Sequence, residues 1–169
     1  MLTREPITRT SRVQVRAGAV GFTLIEILIV LAILGVLAGI VIAQFTNVTE
    51  DAERQAFINS GRIFADAAER FNLDNGNYPE DSSSGALPSG FGDYITSSQW
   101  EGGTPIGGVW DSDDDFGISA AIGVHFNGTG ATRDDAYMKE IDSAVDDGDL
   151  SSGFFRKLAD ERYYFVLLD

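Results

Sequence analysis

Apolar positions fall along this chain in three rhythms. Residues 22–45 are almost unbroken, with only Thr23, Glu26 and Gln44 polar, and residues 27–43 draw on Ile, Leu, Val, Ala and Gly alone. A helix apolar on every side needs lipid or other helices around it. At about 1.5 Å of rise per residue the run reaches about 36 Å, enough for a hydrocarbon core about 30 Å thick. Beyond it the pattern becomes one-sided: Phe57, Phe64 and Phe71 recur at heptad spacing, Ile63, Ala67 and Ala68 are assigned to the same stripe, and Glu53, Arg62, Asp66, Glu69 and Arg70 to the opposite face. Asn75-Gly76 and then Pro79 stop the helix. The spacing predicts one helix of about fifty residues, half apolar all round and half the spine of an outer domain.

The third rhythm has a period of two. Residues 80–107 are rich in Ser, Gly and Pro and read as a long loop, with a short helical turn expected at 94–98. Phe116, Ile118, Ala120, Ile122, Val124 and Phe126 then alternate with smaller or polar residues, which predicts a strand whose apolar face packs on the phenylalanine stripe. Val109-Trp110 is expected in a neighbouring strand, joined through an acidic turn at 111–115. A short helix carries Tyr137, Met138, Ile141, Ala144 and Val145, and strands at 154–158 and 163–168 close the chain. The fold class expected is α+β, a long N-terminal helix packed on a small antiparallel sheet.

Composition narrows the chemistry. At 169 residues there is room for one compact domain and an accessory segment. Cysteine is absent, which excludes disulfides, thiolate zinc sites and a cysteine nucleophile. His125 is the single histidine and falls on the polar side of its strand; no nucleophile elbow or phosphate-cradling loop accompanies it, so no enzyme is expected. A net charge of -14 argues against nucleic acid as a partner. The charge is uneven: Arg4, Arg9, Arg12 and Arg16 precede the apolar run, and Glu50, Asp51 and Glu53 follow it. The positive-inside rule then places the N-terminus in the cytoplasm. A secretory signal cut after Val41-Ile42-Ala43 is the competing reading, opposed by the length of the run and by Glu26 near its start.

Gly21-Phe22-Thr23-Leu24-Ile25-Glu26 at the head of this run resembles the class III signal of type IV pilins and of type II secretion pseudopilins. The resemblance implies that a prepilin peptidase cuts between Gly21 and Phe22, N-methylates Phe22 and leaves the apolar helix attached. It divides the chain into a cleaved leader (1–21), a transmembrane and assembly helix (22–45) and an extracytoplasmic, pilin-like globular domain (46–169). The protein would be single-pass in the inner membrane, its C-terminal domain periplasmic. Its partners would be the peptidase, other pilin or pseudopilin subunits, the membrane and an inner-membrane assembly platform. The work implied is that of a pseudopilus driving protein export; the alternatives are a surface pilus for adhesion, twitching or DNA uptake, and a membrane-tethered binding domain that never polymerises. Asn75-Gly76-Asn77-Tyr78-Pro79 is similar to the turn that follows the long helix in many pseudopilins, whereas Ala43 stands where many family members have proline.

Cleavage would free an amine at Phe22, four residues before Glu26, so the two charges can meet within one helix or between adjacent ones. In a low dielectric that pairing offsets the desolvation of both, and Glu26 is therefore expected to determine assembly. Two aspartate clusters, 111–115 and Asp142, Asp146, Asp147 and Asp149 around Gly148, suggest calcium, with Asp146, Asp147 and Asp149 or else Asp111 and Asp113 as ligands. Some major pseudopilins bind calcium in a C-terminal loop. Solvated acidic turns are the commoner use of such residues, and no twelve-residue loop with a closing glutamate is present. No other cofactor is expected.

Overall fold

The computed structural model describes residues 21–169, the side chains of 41–47 excepted, so the expected leader apart from Gly21 and the end of the apolar run lie outside the described residues. The elements are α1 (Leu24–Asn75), a 3-10 turn (Phe91–Asp93), α2 (Ser97–Glu101), β1 (Val109–Asp113), β2 (Ala120–His125), α3 (Asp135–Val145), β3 (Phe155–Ala159) and β4 (Arg162–Leu168). The chain divides after Ala43 into two units. In the first, every described residue from 21 to 40 is exposed.

The second unit is an α+β, pilin-like arrangement. Its four strands form one antiparallel sheet in the order β1-β2-β4-β3, with Trp110 opposite Val124 and Ile122 opposite Phe165. One face of the sheet receives the phenylalanine stripe of α1. Phe57 stacks on Trp110 at 5.2 Å and meets Phe165 at 5.8 Å, while Phe64 meets Trp110 edge-on at 4.8 Å. Trp100 of α2 and Phe91 close the same core from the loop side. Gly61 is where helix and sheet come closest: a Cβ there would lie 2.1 Å from Cε2 of Phe165. Alternation then puts Asp111, Asp113, Arg162 and Tyr164 on the far face.

Four local expectations are corrected. Ile63 is 56 % exposed, because at 100° per residue it stands a quarter turn or more off the Phe57–Phe64–Phe71 line. The alternating strand starts at Ala120, not Phe116: Phe116 adopts a left-handed conformation (φ 56°) that ends extended structure, and its side chain is half exposed. Asp111, Ser112 and Asp113 belong to β1 and are buried, rather than forming a solvated turn. The short helical turn of the loop lies at Ser97–Glu101, slightly beyond its expected place, after the 3-10 turn at Phe91–Asp93.

Candidate processing and assembly site

Phe22 and Thr23 precede the first turn of α1, and Glu26 occupies it. The Thr23 N–H donates to Glu26 Oε2 at 2.7 Å, the Thr23 hydroxyl donates to the same oxygen at 2.8 Å, and the Glu26 N–H returns a 3.3 Å bond to Thr23 Oγ1. This is a reciprocal capping box, which satisfies donors that a helix start leaves orphaned. Thr23 is the functional neighbour that sequence reasoning missed; the Thr-x-x-Glu spacing was the signal that reveals it. Gly21 and Phe22, the expected cleavage positions, are exposed just outside this first turn. Gly35 and Gly39 have no other atom within 4 Å of where a Cβ would stand, leaving that stretch open to close approach. Among the described residues no helix is long and apolar enough to cross a membrane; the sequence run continues into residues 41–45, whose side chains lie outside the description.

The aspartates proposed as ligands separate in the structure. Carboxylate oxygens of Asp142, Asp146 and Asp147 lie within 4.8 Å of one another and form a group that can hold a metal ion. Helix α3 starts on Asp134, whose side chain accepts the Tyr137 N–H at 2.9 Å, and buries Met138, Ile141 and Asp142. Asp142 is thereby fully buried, and neither of its carboxylate oxygens makes a well-formed hydrogen bond. Burial, reinforced by the charges of Asp147 and Asp146, pushes its carboxyl up to about 6. Asp146 accepts the Phe154 N–H, tying the end of α3 to the approach to β3. Asp149 instead binds Ser151, accepting from its hydroxyl at 2.7 Å and its N–H at 3.1 Å, and stands outside the group.

Asp111 and Asp113 face a cation of their own. Nη1 of Arg162 donates to Asp111 Oδ2 at 2.8 Å and to Asp113 Oδ2 at 3.0 Å, and the Tyr164 hydroxyl donates to Asp111 Oδ2 at 2.7 Å. Burial still holds the Asp111 carboxyl above its ordinary range and raises the Tyr164 phenol. Outside this network opens a polar pocket of about 350 Å³ lined by Asp81, residues 82–84, Asp113, Asp115, Phe116 and Arg162. His125, half-buried, places Nδ1 2.8 Å from the Ser84 hydroxyl at its edge.

Residues 21–42 match the family model of the prokaryotic N-terminal methylation motif. The chain is similar to the type II secretion system core protein G of Klebsiella pneumoniae, 41% identical over 59 residues, which is 35% of this chain and 42% of that protein. The protein of the same name from Pectobacterium carotovorum subsp. carotovorum is also 41% identical over 59 residues, 35% of this chain and 38% of its own length. That of Escherichia coli (strain K12) is 37% identical over 59 residues, 35% of this chain and 41% of the relative. The chain thus spans less than half the length of the curated relatives it matches. No solved structure matches it. Motif and relatives together support a type IV pilin-like, pseudopilin family for this chain.

Proposed function

We propose that the chain is a structural subunit of a type II secretion pseudopilus. A prepilin peptidase cuts it between Gly21 and Phe22 and N-methylates Phe22, and the apolar helix then carries it into a filament that drives protein export. The observation that carries this reading is the methylation motif at 21–42 heading a helix in which residues 24–40 are all exposed and, Glu26 apart, apolar. Water does not tolerate such a surface. Lipid covers it before assembly and neighbouring helices cover it afterwards.

The subunit sits in the inner membrane as a single-pass protein, its N-terminus cytoplasmic and its globular unit periplasmic, in keeping with arginines before the run and carboxylates after it. Its partners are the peptidase, further pseudopilin copies and the inner-membrane assembly platform, and its role is structural, not catalytic. The names of the relatives favour secretion over a surface pilus. Freed by cleavage, the Phe22 amine pairs with Glu26 of its own or an adjacent helix.

Two variants test this pairing apart from capping. Glu26→Ala loses both the charge and the capping acceptor, whereas Glu26→Gln keeps an acceptor for the Thr23 N–H and loses only the charge. Both are expected to be cleaved and inserted normally and to fail in filament assembly, since removing one partner of a buried pair costs about 3–5 kcal/mol. Cleavage, membrane fraction and sheared filaments are scored separately. Normal filaments from Glu26→Gln contradict the pairing and favour a tether that does not polymerise.

A specific observation also supports a divalent cation at Asp142, Asp146 and Asp147, with calcium the ion that an all-oxygen donor set suits. The fit rests on Asp142: a fully buried carboxylate without a well-formed hydrogen bond requires compensating positive charge when ionised. The ion would supply that charge and hold the end of α3 beside the approach to β3.

A further inference from the structure

We propose that Asn127 is a site of spontaneous covalent modification: its side chain closes onto the Gly128 nitrogen, loses ammonia and opens with water to aspartate or isoaspartate. The inference stands apart from the filament reading, because it concerns the globular unit alone.

Two asparagines of the chain precede glycine, in Asn75-Gly76 and Asn127-Gly128, and both are exposed. Glycine favours ring closure, since no Cβ shields the attacking nitrogen. Sequence and exposure do not separate the two pairs, but hydrogen bonding does. At the end of α1 both reacting groups of the first pair are occupied. The Asn75 side-chain amide donates to the Phe71 carbonyl at 2.9 Å and to the Tyr94 hydroxyl at 3.2 Å, and the Gly76 N–H donates to the Asn72 carbonyl at 2.8 Å. Closing a ring there would break the bonds that end the helix.

The second pair has the opposite arrangement. The Gly128 N–H meets no acceptor among the described residues, so water and hydroxide reach it. The turn holds Gly128 at φ 83° with no other atom within 4 Å of where a Cβ would stand. Asn127 Oδ1 accepts the Thr129 N–H at 3.2 Å. That bond polarises the side-chain carbonyl and steadies the negative charge that gathers on Oδ1 as a tetrahedral intermediate forms.

The steps balance with water alone. Hydroxide removes the Gly128 amide proton, and the nitrogen attacks Asn127 Cγ. The N–Cγ bond forms, the Cγ–Nδ2 bond breaks, and ammonia leaves with a proton taken from water, which gives a cyclic imide. Water then opens the ring at either carbonyl. Opening at Cγ yields aspartate; opening at the main-chain carbon yields isoaspartate, whose backbone runs through Cβ and Cγ. Conversion needs no enzyme, so it accumulates with the age of each subunit.

Isoaspartate lengthens the main chain by a carbon where the turn is fastened. The Thr129 carbonyl accepts the Gly108 N–H at 2.8 Å, and buried Phe126 anchors the other end of the turn. The added carbon is expected to loosen the bond between Thr129 and Gly108.

The full chain, extracted from membranes and incubated in mildly alkaline buffer, tests the site by proteolytic mapping and mass spectrometry, with electron-transfer fragmentation to tell isoaspartate from aspartate. Folded protein is expected to convert Asn127 at least about tenfold faster than Asn75, since Asn75 reacts only when the helix end opens. In urea the two rates are expected to come within about threefold of each other, because the hydrogen bonds that distinguish them are gone. Equal rates in the folded protein, or a preference for Asn75, overturn the proposal. A preference that persists in urea also overturns it, because the fold then selects nothing. Aspartate without isoaspartate overturns the imide route. In the converted protein the Gly108 amide is expected to exchange with solvent at least about tenfold faster than before, and unchanged exchange overturns the coupling to the turn.

Discussion

Asp142 shows how one residue sets the local chemistry. Its carboxylate has no exposed surface and no well-formed hydrogen bond, and two more carboxylates stand beside it. An ionised group so placed destabilises the fold unless a cation joins it. Asp142→Asn is therefore expected to raise the melting temperature in chelator at pH 7.5 by about 3–6 °C and to abolish the further gain that millimolar calcium gives the unaltered chain. Calorimetry of both proteins with and without calcium checks this. No calcium response in the unaltered chain, or an equal one in the variant, removes the metal reading. Asp146 and Asp147 were legible as an Asp-rich loop with glycine, whereas the role of Asp142 depends on burial. Its spacing of four from Asp146 hints at a shared helix face, but only packing of Met138 and Ile141 into the core fixes that face inward. Asp111 and Asp113 differ from them because Arg162, 51 and 49 positions away, already meets them across the sheet. No local pattern announces a partner at that distance.

At the scale of elements, α1 was the most legible part of the molecule. Phenylalanines at heptad spacing fix which side meets the sheet, and Asn75-Gly76 ends the helix where φ turns positive at Gly76. β4 was legible from its unbroken run of aromatic and aliphatic residues at 163–168. The sheet was misread at β2, where the left-handed Phe116 and the turn after it interrupt a pattern that looks continuous in sequence. The close approach at Gly61 was illegible because it depends on Phe165, which is remote in sequence. Two substitutions test the helix–sheet packing. In a soluble piece spanning residues 46–169, Phe64→Ala is expected to cost about 3–5 kcal/mol, since it empties a fully buried ring site between Trp100 and Trp110. Gly61→Ala is expected to cost about 1–3 kcal/mol by wedging α1 from β4. Ile63→Ala, on the open side, should change stability by less than about 0.5 kcal/mol. Urea unfolding of the three variants measures the differences; a loss below about 1 kcal/mol for Phe64→Ala means that the stripe does not carry the core.

For the whole molecule, the two units have separate tasks. The apolar unit has no interior of its own: every described residue from 21 to 40 is exposed. The globular unit keeps a closed aromatic core. This division was legible in sequence because an unbroken apolar run and an alternating one have different physical solvents. The strand order and the position of the acidic pocket were not, because both arise from pairing between distant segments. The account rests on conversion of the chain at Gly21 and Phe22 into a filament-forming subunit. Intact mass of the protein, extracted from membranes of a host with prepilin peptidase, measures that conversion directly. The account predicts a chain that begins at Phe22 and carries one added methyl group; a chain beginning at Gln44, or one that keeps residues 1–21, would contradict it.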